Sequence, residues 1–198
     1  MCPNSDKFVL MTHTKIFFRK LDDISGPGIQ SENPEVYQHR LNLGIGPDRR
    51  TGYTNVDAFA PSDFAWDLGQ FPWPWTDNSI DEVLMNHVLE HMIDMERTVR
   101  EIHRILKPGG LFHGQVPFGW SDNGITEYGH CHLFHWHTFK SMEPVGFKCI
   151  LAEPSVLSRS DLNHNLGRSV RNLIPFRRIL SRFLVNMFDV INFRLEKI

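Results

Sequence analysis

Between Val36 and Val116 the chain alternates short apolar runs with turn residues, and one longer stretch carries a helical period. Val36 to Leu43 stops at Gly44-Ile45-Gly46, Tyr53 to Asp57 ends in an acid, and Phe64 to Leu68 ends in Asp67-Leu68. Ile80 to Met85 and Leu111 to Val116 complete a set of five runs. Short, nearly continuous apolar segments closed by glycines or acids predict buried parallel strands. From Val88 to Leu106 the apolar residues Val88, Met92, Met95, Val99, Ile102 and Leu106 recur every three or four positions. Glu96, Arg97, Arg100 and Glu101 supply a wet side, and Lys107-Pro108-Gly109-Gly110 ends the helix. This strand, helix, strand rhythm predicts an α/β sandwich. One connection is unusual, because residues 47–52 are too few for the crossover helix that two parallel strands normally need. A reduced helix after the first strand is therefore expected.

The flanks are less regular. Lys7 to Lys20 reads as a short hairpin or an added edge segment, and Asp22 to Asn33 as a loop. We expect residues 1–35 to be an N-terminal extension and residues 36–198 to be one domain. The aromatic stretch Phe71 to Ser79 holds two prolines and cannot be a regular helix or central strand. It either covers a ligand or packs beneath a surface loop. After Pro117, residues 118–137 are rich in glycine, aromatics and histidine and predict a long functional loop. Thr138 to Pro144 predicts a short helix, Phe147 to Ala152 a strand, and Pro154 to Leu166 an irregular excursion. Gly167 to Asn186 predicts a helix interrupted at Pro175, and Phe188 to Glu196 a last strand.

At 198 residues the chain has the length of one domain, able to bury roughly 70% of its extended surface. A net charge of -2 gives no general signal for nucleic acid. Cys2, Cys131 and Cys149 are isolated, so no disulfide framework is expected, and a cytoplasmic setting is the default. No secretory leader or transmembrane run is read.

The glycines after the first strand let a ligand approach the backbone, and Asp57 at the end of the second can accept hydrogen bonds from a ribose diol. A nucleoside-containing cofactor across the strand ends follows. The missing third glycine and missing helix weigh against a nicotinamide dehydrogenase. Two histidine groups raise a metal reading. His87-Val88-Leu89-Glu90-His91 resembles an inverted zinc-protease pattern, and His130, His132, His135 and His137 surround Cys131 within one loop. The first would also need a third ligand and a long enclosing helix, and the spacing of the second is not that of a recognised closed site, so no metal is expected. Arginines 168, 171, 177, 178 and 182 give a weak basic amphipathic patch, read as a cover for the sheet with a solvated face.

Taken in order, these motifs resemble a known family. Leu41-Asn42-Leu43-Gly44-Ile45-Gly46, Gly52-Tyr53-Thr54-Asn55-Val56-Asp57, Trp66-Asp67-Leu68, Asn78 to Val83, His87 to His91 and Arg104 to Gly110 are similar to the class I S-adenosylmethionine-dependent methyltransferases. The likeness is greatest to the methyltransferase type 11 group; it runs from Leu41 to Pro117 and weakens toward Glu153. It implies a Rossmann-like three-layer sandwich, helices on both faces, with sheet order 3-2-1-4-5-7-6 and strand 7 antiparallel. It implies S-adenosylmethionine as cofactor, with Gly44 and Gly46 beside the methionine portion, Asp57 on the ribose, and Asp67 and Leu68 at the adenine. Asn86 and His87 would flank the methionine moiety, while Glu90 and His91 would fix a strand-to-helix junction. The methyl acceptor is unidentified, and His87, His130 and His135 are the candidates to orient or deprotonate it. The alternatives are a non-catalytic S-adenosylmethionine-binding or protein-interaction domain and, third, a metal-dependent hydrolase.

Overall fold

The computed structural model describes residues 7–12, 15–20, 39–59, 61–155, 175–183 and 186–198. Strands β1 (Lys7–Thr12) and β2 (Lys15–Lys20) form a separate antiparallel pair, the hairpin alternative for this segment. A seven-stranded sheet is built from β3 (Arg40–Leu43), β4 (Thr54–Asp57), β5 (Phe64–Ala65), β6 (Ile80–Asn86), β7 (Leu106–Pro117), β8 (Phe147–Ser155) and β9 (Val190–Lys197). Its spatial order is β5-β4-β3-β6-β7-β9-β8. Numbered within the sheet this is 3-2-1-4-5-7-6, and β9 runs antiparallel to both neighbours while the rest of the pairs are parallel. This is a Rossmann-like α/β sandwich with the expected order.

The long helix of the described residues is α1 (Met95–Ile105); α2 (Asp122–Ile125) and α3 (Arg177–Leu180) are single turns. Helix α1 starts later than the apolar period predicts. Leu89–His91 makes a 3-10 turn, and Asp94 then caps α1 by accepting the N–H of Arg97 at 3.0 Å. Strand β5 is also shorter than expected, because the chain turns at Asp67, whose carboxylate accepts the N–H of Gly69 at 2.8 Å. Conversely β7 already begins at Leu106, where Leu106 pairs with Ile80 before the register shifts. The loop expected over Asp22 to Asn33, and the expectations for residues 36–38, 156–174 and 184–185, lie outside the described residues.

The two faces of the sheet differ. Leu41, Val83, Phe112 and Leu195 stand in one row, and Leu43, Met85, Gly114 and Phe193 in the next, all on one side. Val99, Ile102 and Ile105 of α1 pack there, with Phe139, Met142 and Phe147. Fully burying one such side chain contributes about 2 kcal/mol. Gly114 is fixed by space, because a Cβ there would sit 1.8 Å from the Met85 carbonyl oxygen. On the opposite side the intervening row reads Asn42, Leu84, His113 and Arg194, and another joins Asn86, Gln115, Asn192 and Glu153. Glu82 on this face accepts from Arg40 Nε at 2.6 Å and from the Tyr53 hydroxyl, and lies 2.6 Å from His113 Nε2.

The aromatic stretch packs inward. Trp73 and Trp75 are 2% and 9% exposed and belong to the core. Arg104 of α1 holds the stretch, donating to the carbonyls of Trp75 at 2.8 Å and Trp73 at 3.0 Å, and pairing with Asp77 and Glu101. Glu101 in turn accepts the Trp73 N–H at 2.8 Å. Lys197 of β9 reaches the carbonyls of His103 and Leu106 at 2.7 and 2.8 Å, satisfying the carboxyl end of α1.

Candidate functional site

The loop after β3 reverses through Gly44 (φ 67°) and Gly46 (φ 49°), both in the left-handed region that glycine adopts without strain. Their roles differ. A Cβ at Gly44 would lie 2.6 Å from a Val88 methyl, so its missing side chain admits the turn of β6, whereas the space over Gly46 is open. Gly44 N–H donates to the Val56 carbonyl at 2.8 Å, carrying the loop on to β4.

Asp57 closes β4 and is 6% exposed. Its Oδ2 accepts the Gly46 N–H at 3.0 Å and its Oδ1 the Phe59 N–H at 2.8 Å. Without a crossover helix, side chains hold residues 44–53 in place. Asn55 accepts from Arg50 N–H at 2.8 Å and from Asn42 Nδ2 at 3.1 Å, and donates to the Arg50 carbonyl and to Asp63. Burial works to raise the Asp63 pKa, but the Asn55 and Arg49 hydrogen bonds outweigh it and hold the carboxyl below its usual value.

Asp67 follows β5, one strand over from Asp57, to which the Trp66 N–H is tied at 3.2 Å. Burial raises the Asp67 pKa, against the single backbone hydrogen bond from Gly69. Leu68 is buried, and its carbonyl accepts Trp73 Nε1 at 3.0 Å. Asn86 ends β6, and His87 beyond it has φ 56°, a rare conformation for a residue with a Cβ. His87 is anchored by its N–H to the Gln115 carbonyl at 2.9 Å. Thus Gly44, Gly46, Asp57, Asp67, Asn86 and His87 all lie at the carboxyl edge of the parallel strands, where open α/β sheets bind ligands.

The histidines of the long loop do not act as one group. His130 leaves its neighbours and packs at a tilt against His91, with ring centroids 5.0 Å apart, beside the carboxylate of Glu90. His132 Nε2 reaches the Met92 carbonyl at 2.8 Å. His135 lies among Trp120, Phe118 and Trp136, with centroids 6.0, 5.9 and 4.8 Å away, and stacks on His137. Burial, then the charges of His137 and Arg182, lowers the His135 pKa; burial is also the largest cause lowering that of His130. Cys131 is disulfide-bonded and Cys149 is free. That bond departs from the expectation of no disulfide, since isolated cysteines give no spacing from which a pair is read.

The sequence reading missed the meeting of Glu90 and His91 with His130, which come from segments far apart in the chain. The basic patch is turned onto the domain where it is described. Arg178 and Arg182 lie over the Trp136 ring at 5.5 and 5.4 Å, and Arg178 donates to the Ala152 carbonyl. Among the described residues no helix is long and apolar enough to cross a membrane.

Comparison with known proteins bears on the fold. The family model described as a methyltransferase domain matches residues 64–113. An uncharacterized methyltransferase of Mycobacterium sp. (strain JLS) is 32% identical over 91 residues, covering 43% of this chain and 36% of that protein. Another, from Mycobacteroides abscessus, is 35% identical over 77 residues, covering 36% of this chain and 30% of that protein. The chain therefore spans about a third of the length of these relatives. Among solved structures, a S-adenosylmethionine-dependent methyltransferase from Thermotoga maritima superposes with a TM-score of 0.54 at 16% identity, over 80% of this chain and 81% of that one. The [4+2]-cyclase SpnF superposes with a TM-score of 0.52 at 14% identity, over 80% of this chain and 73% of that one. Likeness at these identities concerns the fold. The matched segment and the strand order together make the chain similar to the class I S-adenosylmethionine-dependent methyltransferases, whose fold it has.

Proposed function

We propose that the chain binds S-adenosylmethionine at the carboxyl edge of β3 to β6 and transfers its methyl group to an unidentified acceptor presented beside residues 118–139. The observation that carries this reading is the clasp between Gly46 and Asp57, which fixes an open glycine turn and a buried acid side by side on adjacent parallel strands. The residues suit the cofactor. Space is open over Gly46, the Asp57 carboxylate stands beside it as an acid at the end of the neighbouring strand, and Asp67 with Leu68 offers an acceptor and an apolar contact for adenine.

Bound S-adenosylmethionine supplies a methyl carbon on a sulfonium that already provides the leaving group. The chain's own part is alignment and electrostatic placement. The Gly44 to Gly46 backbone and Asn86 with His87 flank the methionine portion, while Asp57 fixes the ribose. His135, whose pKa burial depresses, is available as a neutral imidazole to orient an amine or hydroxyl acceptor or to take its proton. His87 is the second candidate for that role.

Calorimetric titration of the protein with S-adenosylmethionine and S-adenosylhomocysteine tests the reading before the acceptor is known. One site per chain for both compounds is the expected result; no heat and no melting shift with either would sink it. A second reading, a binding domain that does not methylate, draws support from SpnF, whose described activity is a cyclisation on this same fold. Cofactor binding without S-adenosylhomocysteine release across amine, hydroxyl, thiol and carboxylate acceptors would favour it.

A further inference from the structure

Glu90 is 1% exposed, and neither of its carboxylate oxygens has a hydrogen-bond partner. A carboxylate this deeply buried is stable when protonated, paired with a cation or bound to a metal. Its surroundings bear on the choice. His91 Nδ1 lies 3.1 Å from the Gly129 carbonyl oxygen, and His130 Nδ1 lies 3.3 Å from that of Gly124. A carbonyl only accepts, so both rings donate through Nδ1, which leaves each Nε2 with a lone pair in its neutral form. A ring nitrogen tied to a carbonyl while the other is left for a ligand is how metal-binding histidines are commonly oriented. One carboxylate oxygen of Glu90 and one nitrogen each of His91 and His130 lie within 4.8 Å of one another. Ligands held at about 2 Å from a tetrahedral ion are somewhat closer than this, a difference within the reach of small side-chain rotations.

We infer that Glu90, His91 and His130 form a binding site for a divalent transition metal ion of the zinc class, which fastens the long loop to the turn after β6. Two imidazoles and a carboxylate suit zinc, and a three-ligand set leaves a fourth position open. Glu127 Oε2 lies 3.7 Å from His130 Nε2 on a half-exposed side chain, close to that position. On the other side, His87 Nδ1 lies 3.4 Å from Glu90 Oε1, and His87 Nε2 is buried without a partner. The ion therefore sits next to the residue that closes the carboxyl edge of β6. This assignment reverses the expectation drawn from spacing, because the ligands come from two segments that only the fold brings together. It does not rest on the methyltransferase reading.

The test uses untagged protein stripped with a chelator, titrated with Zn2+ by calorimetry and with Co2+ by visible absorption. We expect one Zn2+ per chain, Co2+ bands of low-coordinate geometry, and a rise in melting temperature on adding Zn2+. The double variant His91→Ala/His130→Ala should weaken Zn2+ binding by about 100-fold or more, the upper range for loss of a supporting group. His137→Ala should leave it unchanged. Should the double variant fail to fold, Glu90→Gln, which keeps shape and removes charge, is read instead and should show the same loss. Absence of Zn2+ binding by the unaltered protein, or binding that survives these ligand substitutions, overturns the site. S-adenosylhomocysteine titrated into the metal-free protein reports separately on the cofactor edge.

Discussion

The carboxylate of Asp57 accepts the backbone N–H of Gly46 at 3.0 Å, so the acid that closes β4 also sets the turn that closes β3. Replacing Asp57 removes a ligand contact and a loop clasp together. Asp57→Ala should lower S-adenosylmethionine affinity about ten- to a hundred-fold, the loss of one charged hydrogen bond. Calorimetry with circular dichroism on the same sample checks this. Affinity unchanged in a folded variant would remove Asp57 from the ribose.

Gly44 and Val88 form a tighter pair. Gly44→Val combines a disfavoured φ of 67° with a clash against the Val88 methyls, and we expect a stability loss of about 1 to 3 kcal/mol. Val88→Ala in the same chain should recover part of it in a urea titration. No recovery would mean that backbone strain, not the contact, carries the cost.

Arg104 ties the aromatic stretch to α1. Arg104→Ala should destabilise by about 2 to 3 kcal/mol, since Glu101 and two carbonyls lose a charged donor. Because Trp73 and Trp75 lie in that stretch, their fluorescence should shift to the red before global unfolding. A blue-shifted spectrum retained up to the unfolding midpoint contradicts this.

A pH prediction follows from Glu82. Burial works to raise its pKa, but hydrogen bonds from Tyr53, His113 and Arg40 outweigh burial and hold it below the usual carboxylate value. A carboxylate with a depressed folded pKa contributes stability above its unfolded value and loses it as pH falls through the folded value. Glu82→Gln should therefore flatten the acid limb of the stability profile below about pH 4.5. Identical acid limbs in the two proteins would show that Glu82 does not carry it.

Much of this was readable from the chain. The apolar runs from Leu41 to Pro117 marked the parallel strands, because these depend on local sequence, while the order of the strands came from the family resemblance that the motifs carry. Helix α1 was read too long, since Met92 continues its apolar period although Asp94 starts the helix. The cap, not the period, set the boundary. The polar ribbon of Asn42, Asn55 and Asp63 that replaces a crossover helix has no local signature. Nor does the meeting of His91 with His130, because sequence spacing groups His130 with His132, His135 and His137, which the fold sends elsewhere.

Strand β9 lies between β7 and β8, so among the described residues β8 has no neighbour in the sheet except a strand that follows it in the chain. During folding, β8 therefore has no template on the growing sheet. It must wait for β9 or arrive with it as an antiparallel pair, a non-local step that is slow relative to the β6–α1–β7 unit. The amides of β8 and β9 should then gain protection against hydrogen exchange together and after those of β6, which makes this edge a late, cooperative unit of its own.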